Sequence, residues 1–151
     1  MPVDEYLRLT EKPYCEYRDG AVSPKALATK LHAIIQRVLM MLLHNLGVEV
    51  FPELTVRITP TRYLVPDVRV AGDFPGPYPT EPVQLCCEIL SPEDRLGAML
   101  AKCEEYHAWG VPFCWVVDLS AQCEKFLREQ SRKFLFEPMR IGKQTGADEI
   151  E

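Results

Sequence analysis

Hydrophobic and polar positions along the chain predict two main helices among several strands. Apolar residues at helical spacing predict a long helix that begins at Ser23-Pro24, with Ser23 as its N-cap, and stops at Gly47. The apolar stripe of this helix consists of Leu27, Leu31, Ile34, Val38, Met41 and Leu42. A second helix is predicted from Ser91 to about Trp109, with Gly110 as its stop signal.

Strand patterns surround these helices. A hairpin is predicted around Asp19-Gly20, because Asp-Gly between apolar runs is a strong turn signal. Further strands, rich in β-branched and aromatic residues, are predicted at 48–51, 54–58, 63–71, 83–90 and 113–119, with an antiparallel pair at 123–128 and 133–136. The runs 83–90 and 113–119 are nearly all apolar, which is typical of buried strands in a covered sheet. The pattern therefore predicts the mixed α/β class.

Length and composition fit one compact domain over residues 1–151. The apolar fraction of 47% is enough for a core, and the charged fraction of 26% is too ordinary for a disordered chain. The net charge of −5 argues against a protein that holds nucleic acid by bulk electrostatics. It leaves open an enzyme that meets DNA through a divalent metal and a few local cations.

Apolar run lengths and cysteine spacing bear on where in the cell the protein is located. No apolar run reaches the roughly 18 to 20 residues that cross a bilayer, and the first ten residues do not resemble a secretory signal. The six cysteines form no Cys-x-x-Cys pair, so reduced, buried thiols are expected rather than disulfides or structural zinc. We therefore expect a cytoplasmic protein with no membrane partner.

Two acidic residues occupy apolar strands. Asp67 lies in the run 65–68, and Glu88 lies near the end of 85–90, the most apolar strand in the chain. A lone carboxylate there would lose several kcal/mol of solvation unless it were paired. Three interpretations stay open for each residue: a hydrogen bond to neighbouring backbone, an ion pair with Arg or Lys, or ligation of a metal.

Lys102 is the third candidate. It falls at the edge of the predicted core stripe of its helix, which consists of Leu96, Met99, Cys103, Tyr106 and His107. Periodicity alone favours a surface lysine with a buried stem. The other interpretation is an ammonium that orients a water or stabilises a phosphoryl oxygen beside Mg²⁺ or Mn²⁺ held by Asp67 and Glu88.

With these residues in this order, the chain resembles the PD-(D/E)XK nuclease superfamily. More closely, it resembles the Uma-two family of restriction-endonuclease-like proteins. The stretches that match are 16–20, Ser23-Pro24 with His32, 65–68, 88–92, Lys102 with Tyr106 and 110–112, and 115–118. The wider superfamily carries its lysine two residues after the second acid, where this chain has Leu90. In the Uma-two pattern the lysine comes from the following helix, at Lys102.

The resemblance implies a restriction-endonuclease-like core, with a mixed central sheet flanked by helices, and a metal-dependent endonuclease. Asp67 and Glu88 would be ligands of Mg²⁺ or Mn²⁺, and Lys102 would place the nucleophile. Glu16 and His32 match family positions that support the site. For Glu16 a salt bridge at the hairpin edge is the other interpretation, and for His32 it is a structural hydrogen bond. The resemblance implies a nucleic-acid partner and favours DNA over RNA as the substrate.

Two departures from the family pattern keep a second function open. Many relatives carry an acid four residues before the helix lysine, where this chain has Ala98, and another acid where it has Ala21. The alternative is a nuclease-fold protein with weak catalysis that acts as a binding or regulatory module, with or without a partner chain. A homodimer is also expected, since the apolar surface of the long helix past Val38 suits an interface as well as a core.

Overall fold

A computed structural model describes residues 1–10, 14–91 and 94–118 of the chain. Its elements in chain order are α1 (Val3–Tyr6), β1 (Cys15–Arg18), β2 (Ala21–Pro24), α2 (Lys30–Asn45), β3 (Val50–Pro52), β4 (Val56–Thr59), β5 (Arg62–Leu64), β6 (Val68–Val70), β7 (Leu85–Leu90), α3 (Leu96–Trp109) and β8 (Phe113–Asp118). The predicted strand pair at 123–128 and 133–136 lies outside the described residues. The helices within those residues are too short or too polar to cross a bilayer.

The central sheet has the strand order β3-β6-β7-β8 and is mixed. β6 pairs antiparallel with β3 and β7, whereas β7 and β8 are parallel. Helix α2 packs against β3, β6 and β7, and helix α3 packs against β7 and β8. Alternate residues of β7 face opposite cores: Cys87 and Ile89 belong to the core that includes α2, and Cys86 belongs to the core that includes Tyr106 of α3. The predicted α/β class with a mixed, helix-flanked sheet is confirmed.

A second, antiparallel sheet has the order β2-β1-β5-β4. The predicted hairpin is confirmed, because Asp19 and Gly20 turn with φ angles of 49° and 98° between β1 and β2. The single strand predicted at 63–71 is wrong. It divides into β5 of this sheet and β6 of the central sheet, and Pro66, which has no N–H for a strand ladder, lies between them. The break places Asp67 between the two sheets.

The predicted start of the long helix is also wrong. Ser23 and Pro24 pair with β1 in the hairpin, and α2 begins at Lys30 with Thr29 as its N-cap. The Thr29 hydroxyl accepts a hydrogen bond from the backbone N–H of His32 at 3.2 Å. Leu27 therefore lies outside the helix and is 77% exposed. The side chains that α2 buries are His32, Ile35, Val38, Leu39 and Leu43.

Helix α3 begins at Leu96, later than predicted. Ser91 precedes the helix, and its backbone N–H donates to the Asp94 carboxylate at 2.8 Å. Gly110 ends the helix in the left-handed conformation as predicted. The predicted apolar stripe of α3 does not coincide with the face that the helix buries, because Leu96, a member of that stripe, is exposed. The residues that α3 buries are Lys102, Cys103 and Tyr106.

Strand β8 differs from its prediction in burial. Among the described strands it pairs with β7 alone, so its outer edge carries half-exposed side chains. Phe113 is 62% exposed and Trp115 is 44% exposed. The apolar run 113–119 predicted a buried strand. That prediction is wrong, because hydrophobicity alone does not distinguish a central strand from a strand that, within the described residues, is paired on one side.

Candidate active site

One cavity of about 480 Å³ collects side chains from both sheets and both main helices. β1 contributes Glu16, the break before β6 contributes Asp67, β7 contributes Glu88, α2 contributes His32 and α3 contributes Lys102. All five are buried. Every residue predicted for the site from sequence thus reaches the same cavity, although the five are spread over 87 positions of the chain.

Lys102 is the positive centre of the cavity. Its Nζ lies 2.5 Å from Oε1 of Glu16 and 2.8 Å from Oε1 of Glu88, and the residue is only 7% exposed. Burial alone would lower the pKa of Lys102, but the two carboxylates outweigh it and raise that pKa, so the ammonium stays charged. The interpretation of Lys102 as a surface lysine, favoured by periodicity, is wrong: helix α3 turns this residue inward to two acids.

Glu88 is almost completely inaccessible, at 1% exposure. Its Oε1 also accepts a hydrogen bond from the hydroxyl of Tyr106 at 2.8 Å, whereas its buried Oε2 has no hydrogen-bond partner among the described residues. Burial raises the pKa of Glu88, although the Lys102 ammonium opposes the shift. This buried, unpartnered carboxylate oxygen is a free acceptor for a cation or a water.

Asp67 has partners on both oxygens. Oδ2 accepts the backbone N–H of Ile89 at 2.7 Å, and Oδ1 lies 2.5 Å from the Nζ of Lys25. Burial opposes ionisation, but the contacts with His32, Lys25 and Ile89 outweigh it and hold the pKa of Asp67 well below its usual range. Two of the interpretations that the sequence left open, the ion pair and the backbone bond, therefore hold together for this residue.

Glu16 joins the hairpin to the cavity. Its Oε1 accepts the backbone N–H of Val65 at 3.0 Å and pairs with Lys102, and its Oε2 lies 3.0 Å from Arg18. Arg18 in turn pairs with Glu105 of α3 at 2.9 Å. Burial would raise the pKa of Glu16, but Lys102 and its other partners keep that pKa lowered. The salt bridge predicted for Glu16 is present, and Glu16 also pairs with Lys102 inside the cavity.

His32 lies in the first turn of α2, beneath Asp67. Its Nε2 is 3.3 Å from Oδ1 of Asp67, and its buried Nδ1 has no hydrogen-bond partner among the described residues. Gln36, one turn later, donates from Nε2 to the backbone carbonyl of Asp67 at 2.8 Å. Helix α2 therefore fixes both the side chain and the backbone of this acid.

The sequence profile of the Uma2 family, described as "Putative restriction endonuclease", matches residues 3–142. The chain belongs to the Uma2 family. The predicted membership in the Uma-two (Uma2) family is confirmed. The chain is also similar to a crystal structure described as "a putative nuclease belonging to DUF820" from Anabaena variabilis, at 22% identity and a TM-score of 0.64. That match covers 78% of this chain and 74% of the other, and it supports the fold. No curated protein matches the chain.

Sequence reasoning missed Lys25, whose Nζ pairs with Oδ1 of Asp67. The motif Ser23-Pro24 resembles a helix start, so the residue after it was placed in a helix. The hairpin register offered the missing signal: the Asp-Gly turn fixes pairs as far as Cys15 with Pro24. The ladder then continues, because the backbone N–H of Lys25 donates to the carbonyl of Tyr14 at 2.8 Å.

The donor set of this Uma2 protein fits a hard divalent cation. Among residues 1–10, 14–91 and 94–118, no three or more His, Cys, Asp or Glu side chains cluster as a ready-made metal site. Mg²⁺ does not need such a cluster, because it keeps several waters and binds through one or two carboxylates plus substrate phosphates. Asp67 and Glu88 supply two carboxylates to one cavity, and Oε2 of Glu88 has no partner among the described residues.

Proposed function

We propose that this Uma2 protein is a Mg²⁺-dependent endonuclease that hydrolyses phosphodiester bonds of DNA. One observation carries the proposal: Asp67, Glu88 and Lys102 line one cavity, and the Lys102 ammonium lies 2.8 Å from the Glu88 carboxylate. Two acids beside a fixed cation are what a metal-assisted phosphoryl transfer requires. Family membership supports the same reaction class.

Asp67 and Glu88 would hold the metal, as Mg²⁺ or Mn²⁺. When bound, the ion activates a water and stabilises charge on the phosphate. Lys102 keeps its proton at Nζ, because Glu16 and Glu88 raise its pKa, and therefore presents a permanent positive charge to an attacking water or a phosphoryl oxygen. Tyr106 positions Glu88 by donating to its Oε1.

The net charge of −5 and the lining of the cavity both leave much of the positive charge for DNA contact to a bound metal. Arg18, Lys25 and Lys102 line the cavity, but it is also lined by six acids: Glu16, Glu53, Asp67, Glu88, Asp94 and Glu105. A divalent ion on Asp67 and Glu88 would offset part of this negative charge where a scissile phosphate would bind.

The proposal includes a cytoplasmic location and a homodimer. Leu42 of α2 and the C-cap residue Leu46 are exposed apolar positions that a second copy would cover.

Incubation of the purified protein with substrates tests this function directly. Supercoiled plasmid, single-stranded DNA and RNA are incubated with Mg²⁺, Mn²⁺ or EDTA. We expect metal-dependent cleavage of DNA, abolished by EDTA. Lys102→Met, assayed below its melting temperature, should cleave on the order of 10²-fold more slowly or worse, because it lacks the cation at the developing charge.

A second candidate function has its own support. Lys25 already neutralises Asp67, and Ala98 replaces an acid of the family pattern, so a binding or regulatory module with weak catalysis is the alternative. Nucleic-acid binding without cleavage under every metal condition would favour that module over the endonuclease.

A further inference from the structure

We propose that Lys25 is the resident counterion of the metal position, and that it competes with a divalent cation for Asp67. The inference rests on the proposed metal-dependent function. It adds a residue that controls when the cavity accepts its cation. The ammonium of Lys25 lies 2.5 Å from Oδ1 of Asp67 and 2.8 Å from the backbone carbonyl of Val65.

The two carboxylate oxygens of Asp67 differ in how easily their present partners can be displaced. Oδ2 is bound to the backbone N–H of Ile89 in β7, so it is fixed by the sheet. Oδ1 is held by side chains, from Lys25 and from His32 at 3.3 Å. Since side chains move more readily than a strand, Oδ1 is the oxygen that an incoming cation can take. Lys25 occupies that oxygen.

Electrostatic repulsion makes it unfavourable for Lys25 and a divalent cation to bind Asp67 at the same time. The ammonium of Lys102 reaches the same Val65 carbonyl at 3.4 Å, so two positive groups already converge on one backbone oxygen. A divalent ion on Asp67 and Glu88 would face both ammonium groups within one cavity, among side chains that are largely buried. Lys102 pairs with two buried carboxylates, whereas Lys25 pairs, among the described residues, with Asp67 alone, although its charge also acts on Glu88. Lys25 is therefore the group that yields.

The position of Lys25 in the fold allows this exchange. It follows β2 directly and precedes α2, in the segment 25–29 that has no regular secondary structure. Its side chain is 16% exposed, twice the 8% of Lys102, so an outward path to solvent exists. Once released, the ammonium would still lie beside the cavity, which Arg18 also lines, and could pair with a phosphate of the substrate.

Lysine labelling of the unmodified protein tests the exchange without any mutation. Reductive methylation with formaldehyde modifies accessible amines, and mass spectrometry follows Lys25 against Lys30, an exposed lysine five positions along the chain. We expect slow labelling of Lys25 without metal and labelling that rises towards the rate of Lys30 at saturating Mg²⁺. Lys30 should be labelled equally in both conditions.

Calorimetric titration with Mg²⁺ and Mn²⁺ gives the affinity. Lys25→Gln keeps a donor for Val65 and removes the charge, and Lys30→Gln is the matched loss of one surface charge. Lys25→Gln should bind metal about tenfold more tightly. This factor is expected if Lys25 has left Asp67 in about one wild-type molecule in ten, because only those molecules can bind the metal. Lys30→Gln should match the wild type.

The outcomes separate this inference from the function on which it rests. Equal metal affinity in the wild type and Lys25→Gln, or unchanged Lys25 labelling at metal saturation, would overturn the role of Lys25 and leave the metal site intact. Absence of metal binding in the wild type and in both variants would overturn the metal-dependent function and this inference together. Tighter binding in Lys25→Gln with metal-induced labelling of Lys25 would support both.

Discussion

Two lysine or arginine side chains are buried in the part of the chain that the structure describes, and their surroundings differ. Lys102 lies among carboxylates at a cavity, with Glu16 and Glu88 as partners. Arg69 of β6 is fully buried against the rings of Phe51 and Phe74, whose centroids each lie 5.1 Å from its guanidinium carbon. Its Nη1 donates to the Thr55 carbonyl at 3.2 Å, and its Nε and Nη2 have no partner among the described residues.

The comparison shows that burial of a charge does not by itself indicate a functional site. Around Lys102 the acids raise its pKa, so the cation and its partners stabilise each other. Around Arg69 burial lowers the pKa to about 10, because ring faces compensate for lost water only in part. Lys102 lines the cavity, whereas Arg69 packs inside the core of the sheet. Carboxylate partners and access, rather than burial, distinguish the candidate site.

The largest effect on stability should come from Lys102→Met. The substitution leaves Glu16 and Glu88 buried without their cation, which should lower the free energy of unfolding by about 3 to 5 kcal/mol at neutral pH. Urea unfolding followed by circular dichroism measures the change. A loss of less than about 1 kcal/mol, as for an exposed lysine, would contradict the described surroundings of Lys102.

A smaller effect is expected for Asp67→Asn, and it should depend on pH. The pKa of Asp67 is lowered in the folded protein, so its stabilisation is present above its ordinary pKa of about 4 and lost as pH falls through the folded value. Asp67→Asn should therefore cost roughly 1 to 3 kcal/mol at pH 7, and this cost should shrink progressively as pH falls below about 4. Parallel unfolding curves for the two proteins across this range would show that the carboxylate charge is not stabilising.

The smallest effect should come from Arg69→Met. Methionine keeps a long flexible side chain against both rings and removes a buried charge with unpartnered N–H groups. The free energy of unfolding should stay within about 1 kcal/mol of the wild type. If Arg69→Met lowered the free energy of unfolding as much as Lys102→Met, the aromatic rings around Arg69 would stabilise a buried charge as well as carboxylates do.

The sequence identified residues that share one cavity better than it predicted the elements that carry them. Asp67 and Glu88 were identifiable because a carboxylate is costly in an apolar strand unless it has a partner. Lys102 was ambiguous, since helical periodicity places it at the edge of a stripe. Only the tertiary contact between α3 and the acids turns it inward.

The misplaced boundaries have a common physical cause. Ser23-Pro24 is a good local helix start, yet pairing with β1 overrides it, because the Asp19-Gly20 turn extends the hairpin that far. In the same way, the apolar run 63–71 reads as one strand until two different sheets divide it at Pro66. Local propensity cannot register pairing between distant segments. Lys25 was missed for this reason.

Metal-dependent plasmid cleavage by Glu88→Gln tests the central claim most directly. Burial already raises the pKa of Glu88, so the neutral isostere should fold, and its melting temperature verifies this. Single-turnover cleavage with Mg²⁺ should fall on the order of 10²-fold or more from the wild-type rate, while Arg69→Met cleaves like the wild type. Cleavage by Glu88→Gln at the wild-type rate would contradict the assignment of this cavity as the nuclease site.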